Sequence, residues 1–157
     1  MSIGKPLANY TAHQRFGDYV FMSGVIAVDP AARAVVTDYA QLPAAARAEL
    51  ATLGYDTGQM SVDVFEAAIV AQSWFVLDRI RAMARECGGE LKDVARLVQY
   101  FRDLRHYPAY NRVRGLFFPA GVVSTVVEVS RMLPGDAVVV EVEATLYLPN
   151  SKARPGV

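Results

Sequence analysis

The chain is predicted to fold as an α+β domain, one sheet with two helices packed on one face. Three observations predict it. The first is a strand-length run, Ala137 to Leu148, in which Val138, Val140, Val142, Ala144, Leu146 and Leu148 alternate with Glu141, Glu143, Thr145 and Tyr147. Side chains alternate across a strand, so this run sets one apolar face on a core and turns a mostly polar face elsewhere. The second is a helix-length run, Ser61 to Glu86, whose Ile69, Ser73, Val76, Ile80, Met83 and then Cys87 recur at spacings of four and three. The third is the order of elements: two strands, an alanine-rich segment, helix, strand, helix and two strands.

Taken in order, residues 1–16, with Pro6, Asn9, Tyr10, Thr11 and His13, read as an extended arm. Gly17-Asp18 opens a strand from Tyr19 to Val28, interrupted at Ser23-Gly24, where a glycine marks a bulge or a close backbone approach. Asp29-Pro30 ends it, and Ala34 to Thr37 reads as a short returning strand. Residues 38–60 differ in texture: Pro43 to Leu53 is alanine-rich with an early proline, and Gly54 and Gly58 mark a loop. This segment reads as an insertion, either a lid carrying Tyr39 or Tyr55 over a cleft or a surface excursion without chemistry.

The long helix has Asp63 in its first turn and Arg85 in its last, the signs its dipole favours, and Gly88-Gly89 stops it. Cys87 lies on the apolar stripe and reads as a small core residue rather than a nucleophile. Lys92 to Phe101 reads as a strand, Ala109 to Phe118 as the second helix, and Val122 to Arg131 as the next strand. A Leu133-to-Asp136 turn leads into the last strand, and one domain over residues 1–150 leaves 151–157 as a tail.

Composition narrows the function. The 157 residues are 53% hydrophobic, more than one small soluble domain needs, which points to oligomerisation. Sixteen basic residues balance sixteen acidic ones, so there is no electrostatic support for nucleic-acid binding. Cys87 is the only cysteine, which excludes an internal disulfide and suits a reducing cytoplasm. No signal peptide and no membrane-spanning run is apparent. His13 and His106, the only histidines, lack metal-ligand spacing, so no metal or other cofactor is expected. Glu141 and Glu143 share one strand face and repel if both are ionised away from water, so water, a cation, a ligand or a partner chain must face them.

Four ordered segments carry a family resemblance: GDYVFMSGVIAVDP, CGGELKDVARLVQYFRDL, YNRVRGLFF and LPGDAVVVEVEA. Together they resemble the YjgF/RidA family, the reactive-intermediate deaminases, also described as translation inhibitors or endoribonucleases. The resemblance covers nearly the whole chain except residues 35–60. It implies a chorismate-mutase-like α+β fold with one mixed sheet, assembled as a homotrimeric barrel with small-molecule clefts between subunits. Members of the RidA type hydrolyse enamines or imines to a keto acid and ammonia.

By position, the resemblance places Tyr10, Ser23, Gly24 and Asn111 in the cleft as substrate-binding groups and makes Glu141 the carboxylate that positions water. The family's arginine, which grips a substrate carboxylate in a bidentate pair, falls at Ser124 or one residue to either side, and positions 122–127 contain no arginine. Ser124 becomes the second catalytic candidate, as a hydrogen-bond donor. It has no evident His-Asp partner and is not read as a nucleophile. Arg102, Arg105, Arg112 and Arg114 cluster around the second helix, and a substitute clamp from one of them stands against a solvated helix face. Two functions stay open: a hydrolase or deaminase-like enzyme acting on a small metabolite, but not a 2-imino-acid deaminase of the usual kind, or a noncatalytic small-molecule-binding trimer.

Overall fold

The structure, a computed structural model, describes residues 9–149. The first eight residues of the expected arm and the 151–157 tail lie outside them. The strands are β1 (His13–Phe16), β2 (Tyr19–Met22), β3 (Val25–Ile26), β4 (Val28–Asp29), β5 (Ala34–Val35), β6 (Val94–Phe101), β7 (Ser124–Glu128) and β8 (Val140–Tyr147). The helices are α1 (Ala44–Ala51), α2 (Met60–Glu86) and α3 (Tyr107–Phe117). One sheet runs β1-β2-β8-β6-β7, with β3 also on β8, and β4-β5 form a separate pair. β6 and β7 are parallel and joined through α3, whereas the other pairs in the large sheet are antiparallel, so the sheet is mixed as expected.

The alternation of the last strand holds. Val140, Val142, Ala144 and Leu146 are buried, and they share a core with Leu97 and Phe101 of β6 and the apolar sides of α2 and α3. The strand starts later than the sequence suggests. Ahead of it, the Ala137 carbonyl and the Val139 N–H bond to a side chain, while the Val139 carbonyl still accepts from the Arg102 N–H at 3.2 Å. The buried Gln72 of α2 donates to the Ala137 carbonyl (2.6 Å) and accepts from the Val139 N–H (2.9 Å). A backbone leaving the sheet must still satisfy its polar groups, and a helix amide does so here. The expected arm also forms a strand where it can: β1 pairs with β2 from His13↔Met22 to Phe16↔Tyr19.

Residues 38–60 contain a helix, as the alanine content implies, but they are neither lid-like nor superficial. Tyr39, Leu42, Ala46, Leu50 and Tyr55 are buried within the main core. Glu49 accepts from the indole N–H of Trp74 at 2.8 Å. Burial pushes the Tyr55 phenol up to about 12, with Glu66 adding to the rise. The consequence for α2 is large. Residues 69–77 are buried all round rather than along one stripe, because the 38–60 segment and α3 cover what would otherwise be its solvent side. Part of the apolar excess that suggests oligomerisation is therefore used inside the chain. Leu50 is fully buried, so Leu50→Ala is expected to cost about 2–5 kcal/mol of unfolding free energy, measurable by urea titration; a surface excursion would lose almost nothing.

The helices cover one face of the sheet only. The opposite face exposes Phe16, Tyr19, Phe21 and Tyr147, whose rings meet in sequence: Phe16 edge-on to Phe21 (6.0 Å between centroids), Phe21 tilted against Tyr19 (6.4 Å) and Tyr19 tilted against Tyr147 (5.2 Å). No helix among the described residues is long and apolar enough to cross a membrane.

Candidate functional site

The interruption predicted at Ser23-Gly24 is real, and its purpose is local. Between Phe21↔Thr145 and Val25↔Val142, four residue steps on one strand oppose three on β8. The extra residue forms a bulge, the device that re-aims backbone and side chains beside a strand. Ser23 turns away from β8 and ties down the preceding segment. Its hydroxyl donates to the Thr11 carbonyl (2.6 Å) and its N–H to the Ala12 carbonyl (2.9 Å). Exposed Tyr10 thereby lies next to a fixed point of the bulge. Gly24 is the close approach: a Cβ there would sit 1.8 Å from Oε1 of Glu141. Only a missing side chain lets that carboxylate lie against the bulge.

Glu141 is half-buried in the middle of β8, on the face away from the helices, with Tyr100 beside it in register. Burial pushes its carboxyl above the ordinary carboxylate range, and the charge of Glu143 on the same face pushes it further. Such a group accepts a proton more readily than a surface glutamate, as a general base acting near neutral pH must.

Asn111 and Ser124 assemble elsewhere, around an arginine. Arg114 of α3 donates through Nη1 to Oε1 of Gln99 (3.0 Å) and Oγ of Ser124 (3.2 Å), and through Nη2 to Oδ1 of Asn111 (2.6 Å) and the Tyr107 hydroxyl (3.4 Å). Its guanidinium carbon lies 5.9 Å from the ring centroids of both Tyr107 and Tyr110. Asn111 and Ser124 are exposed, whereas Gln99 is fully buried.

The predicted residues therefore fall into two groups. Tyr10, Ser23, Gly24 and Glu141 gather at the bulge; Asn111 and Ser124 gather at Arg114. Register shows why one chain does not unite them. Ser124 stands opposite Leu97, whose side chain is in the helix-covered core, while Glu141 stands opposite Tyr100, three residues on and so of opposite parity. Glu141 and Ser124 point to opposite faces of the sheet. Two participants were not singled out from sequence. Gln99 carried a signal: it is the polar residue at an inward position between Leu97 and Phe101. Arg114 was one of four arginines, and only the folded helix separates it from Arg112, which pairs with Glu66 at 2.7 Å. His13 and His106 join neither group. Cys87 packs against the core with its thiol pushed up by burial, which fits a packing role. Among the described residues no group of His, Cys, Asp and Glu is arranged to hold a metal ion.

Comparison with known proteins gives the lineage. Residues 2–147 match the protein family described as Endoribonuclease L-PSP. A RutC family protein of Pyrococcus abyssi is 29% identical over 147 residues, spanning 91% of this chain and 89% of that one. The solved structure of a putative endoribonuclease from Klebsiella pneumoniae is 47% identical, with a TM-score of 0.83 over 89% of this chain and all of that one. E. coli TdcF, solved with bound serine, shares the fold at 19% identity and a TM-score of 0.66, over 90% of each chain. The chain thus belongs to the endoribonuclease L-PSP family, that of the YjgF and RidA proteins.

Proposed function

We propose that this protein is a small hydrolase of imines or enamines, working as a homotrimer in which each cleft is shared by two subunits. The bulge side of one copy, with Tyr10, Ser23, Gly24 and Glu141, meets the Asn111–Ser124 side of the next. The observation that carries this reading is Glu141: a half-buried carboxylate with a raised pKa, resting on a glycine, on a sheet face that no helix among the described residues covers. The exposed aromatic row on the same face supplies apolar surface for the partner. That TdcF holds serine supports a small metabolite as ligand. The lone cysteine suits a reducing cytoplasm.

The chemistry balances simply. Glu141 takes a proton from water as the oxygen adds to the imine carbon. It returns that proton to nitrogen, giving a carbinolamine; the carbinol hydroxyl proton then passes to nitrogen through the same carboxylate as the carbon–nitrogen bond breaks, and ammonia leaves a ketone. A noncatalytic binding trimer is the competing reading, favoured by the serine at position 124, and it requires no turnover from the wild type.

A mixing experiment tests shared clefts and chemistry together. Glu141→Gln disables the bulge side, and Ser124→Trp fills the other. Each variant alone should release ammonia from freshly generated 2-iminobutyrate little faster than the uncatalysed reaction does. Refolded together in equal amounts, they should leave roughly a quarter of the clefts intact and regain turnover accordingly. No recovery from two dead variants overturns the shared cleft. No wild-type release above the uncatalysed rate, from 2-iminobutyrate or from an imine that lacks the carboxylate, overturns the enzyme.

A further inference from the structure

We infer that the hydroxyls of Tyr39 and Tyr55 and the Oδ1 oxygen of Asp63 form a binding site for one buried water molecule, which joins the 38–60 segment to the first turn of α2. The inference is independent of the reaction proposed above and concerns a part of the molecule that the reaction does not use.

The first ground is a set of polar atoms without partners. Tyr39 and Tyr55 are 5% and 1% exposed, and neither hydroxyl has a hydrogen-bond partner among the described residues. Oδ1 of Asp63 is also sealed from solvent and also lacks a partner among them. A buried polar group left unpaired forfeits its hydration for nothing, and native interiors rarely hold one without a bridging water or ion.

The second ground is convergence. Asp63 lies in the first turn of α2. Its Oδ2 accepts from the N–H groups of Thr57 (3.0 Å) and Gln59 (2.8 Å). The carboxylate is thereby held against the loop that follows Tyr55, with Oδ1 left over. Burial pushes the Tyr39 phenol up, and Asp63 and then Tyr55 push it further, so the three side chains lie within electrostatic reach of one another. The nearest other charges are engaged. Glu66 pairs with Arg112 at 2.7 Å, and the Arg112 guanidinium carbon lies 5.2 Å from the Tyr55 ring centroid. Burial raises the Tyr55 pKa and Glu66 raises it further, without standing in hydrogen-bond geometry to the hydroxyl.

The third ground is valence. Each phenol brings one O–H donor, and the carboxylate oxygen brings an acceptor. A water accepts from both phenols and donates to Oδ1, so one molecule satisfies all three atoms with the number of bonds a buried water ordinarily makes. A monovalent cation would suit the three oxygens but leave both phenolic hydrogens without an acceptor.

Urea titration of the intact protein tests this through the sign of two conservative changes. Tyr39→Phe and Tyr55→Phe should each lower the folding equilibrium constant roughly 2- to 10-fold. A hydroxyl that bonds to nothing would instead make phenylalanine neutral or stabilising. A water that has lost one phenol holds the other less firmly, so the double variant should lose less than the product of the single losses, by at least about twofold. A high-resolution crystal structure of the wild type should show one ordered water within hydrogen-bond distance of all three atoms. Phenylalanine variants as stable as the wild type or more so, losses that multiply, or a crystal structure without that water overturns the site. So does a wild-type Tm that rises with sodium, potassium or ammonium chloride more than that of Tyr39→Phe, because the occupant is then a cation.

Discussion

Glu141→Gln is expected to lower turnover of 2-iminobutyrate by about 10²- to 10⁴-fold, the range for removing a positioned general base, with little change in ligand affinity. The amide keeps the shape of the side chain and its place against Gly24 but cannot hold a proton between water and nitrogen. The same substitution should make the protein more stable, with a definite pH dependence. Burial and Glu143 raise the carboxyl pKa in the folded chain, so over a window above the ordinary carboxylate value the folded state binds more protons than the unfolded one. Stability of the wild type therefore falls as pH rises through that window. Glutamine has no proton to lose. The two proteins should melt together at about pH 4, near the ordinary glutamate value, and separate as pH rises, with the variant higher at neutral pH. A variant that loses activity and stability in parallel would show that Glu141 serves packing, and would remove it from the chemistry. The group is half-exposed, so the stability difference should be modest beside the kinetic one.

The fold was legible where the signal is local and repeated. The alternation in β8 and the glycine stop at Gly88-Gly89 each follow from neighbours along the chain, and both hold in the structure. Boundaries failed where a distant side chain takes over from the ladder, as Gln72 does at Ala137 and Val139. The 38–60 segment was misleading for a related reason. Its alanines and glycines look like surface material, but Tyr39, Leu42, Leu50 and Tyr55 find partners on a helix whose other face the periodicity had left to solvent.

The candidate site divides in the same way. Strand parity assigned Ser124 and Glu128 to one side of β7 and Glu141 to the polar side of β8, and pairing places Ser124 and Glu141 on opposite sheet faces. No sequence pattern told Arg114 from Arg112. Which of two arginines two residues apart meets a glutamate and which meets only neutral groups depends on what α3 packs against.

The second large effect is expected at a residue with no functional group. Gly24→Ala should reduce turnover by about 100-fold, the scale on which a misplacement of about 1 Å is felt, while thermal stability stays close to wild type. The added methyl would lie 1.8 Å from Oε1 of Glu141, 2.8 Å from Cδ and 3.2 Å from Cγ. No real pair of atoms tolerates the first distance, so one of the two must move. The backbone at Gly24 is held on both sides: Ser23 by its bonds to Thr11 and Ala12, Val25 by its pairing with Val142. The glutamate side chain is the softer partner, and rotating it away costs about 1 kcal/mol in rotamer energy. Folding should therefore survive while the carboxylate leaves the place it would occupy to activate water. The raised pKa offers an independent readout. A Glu141 swung off the bulge into water should lose most of its desolvation, so the stability of Gly24→Ala should no longer fall with rising pH as the wild type's does. Adding Glu141→Gln to Gly24→Ala should then cost little further activity, because both changes remove the same carboxylate from the same position. If the two losses instead multiply, the glycine serves the ligand directly, through its own backbone, and the close approach to Glu141 is incidental.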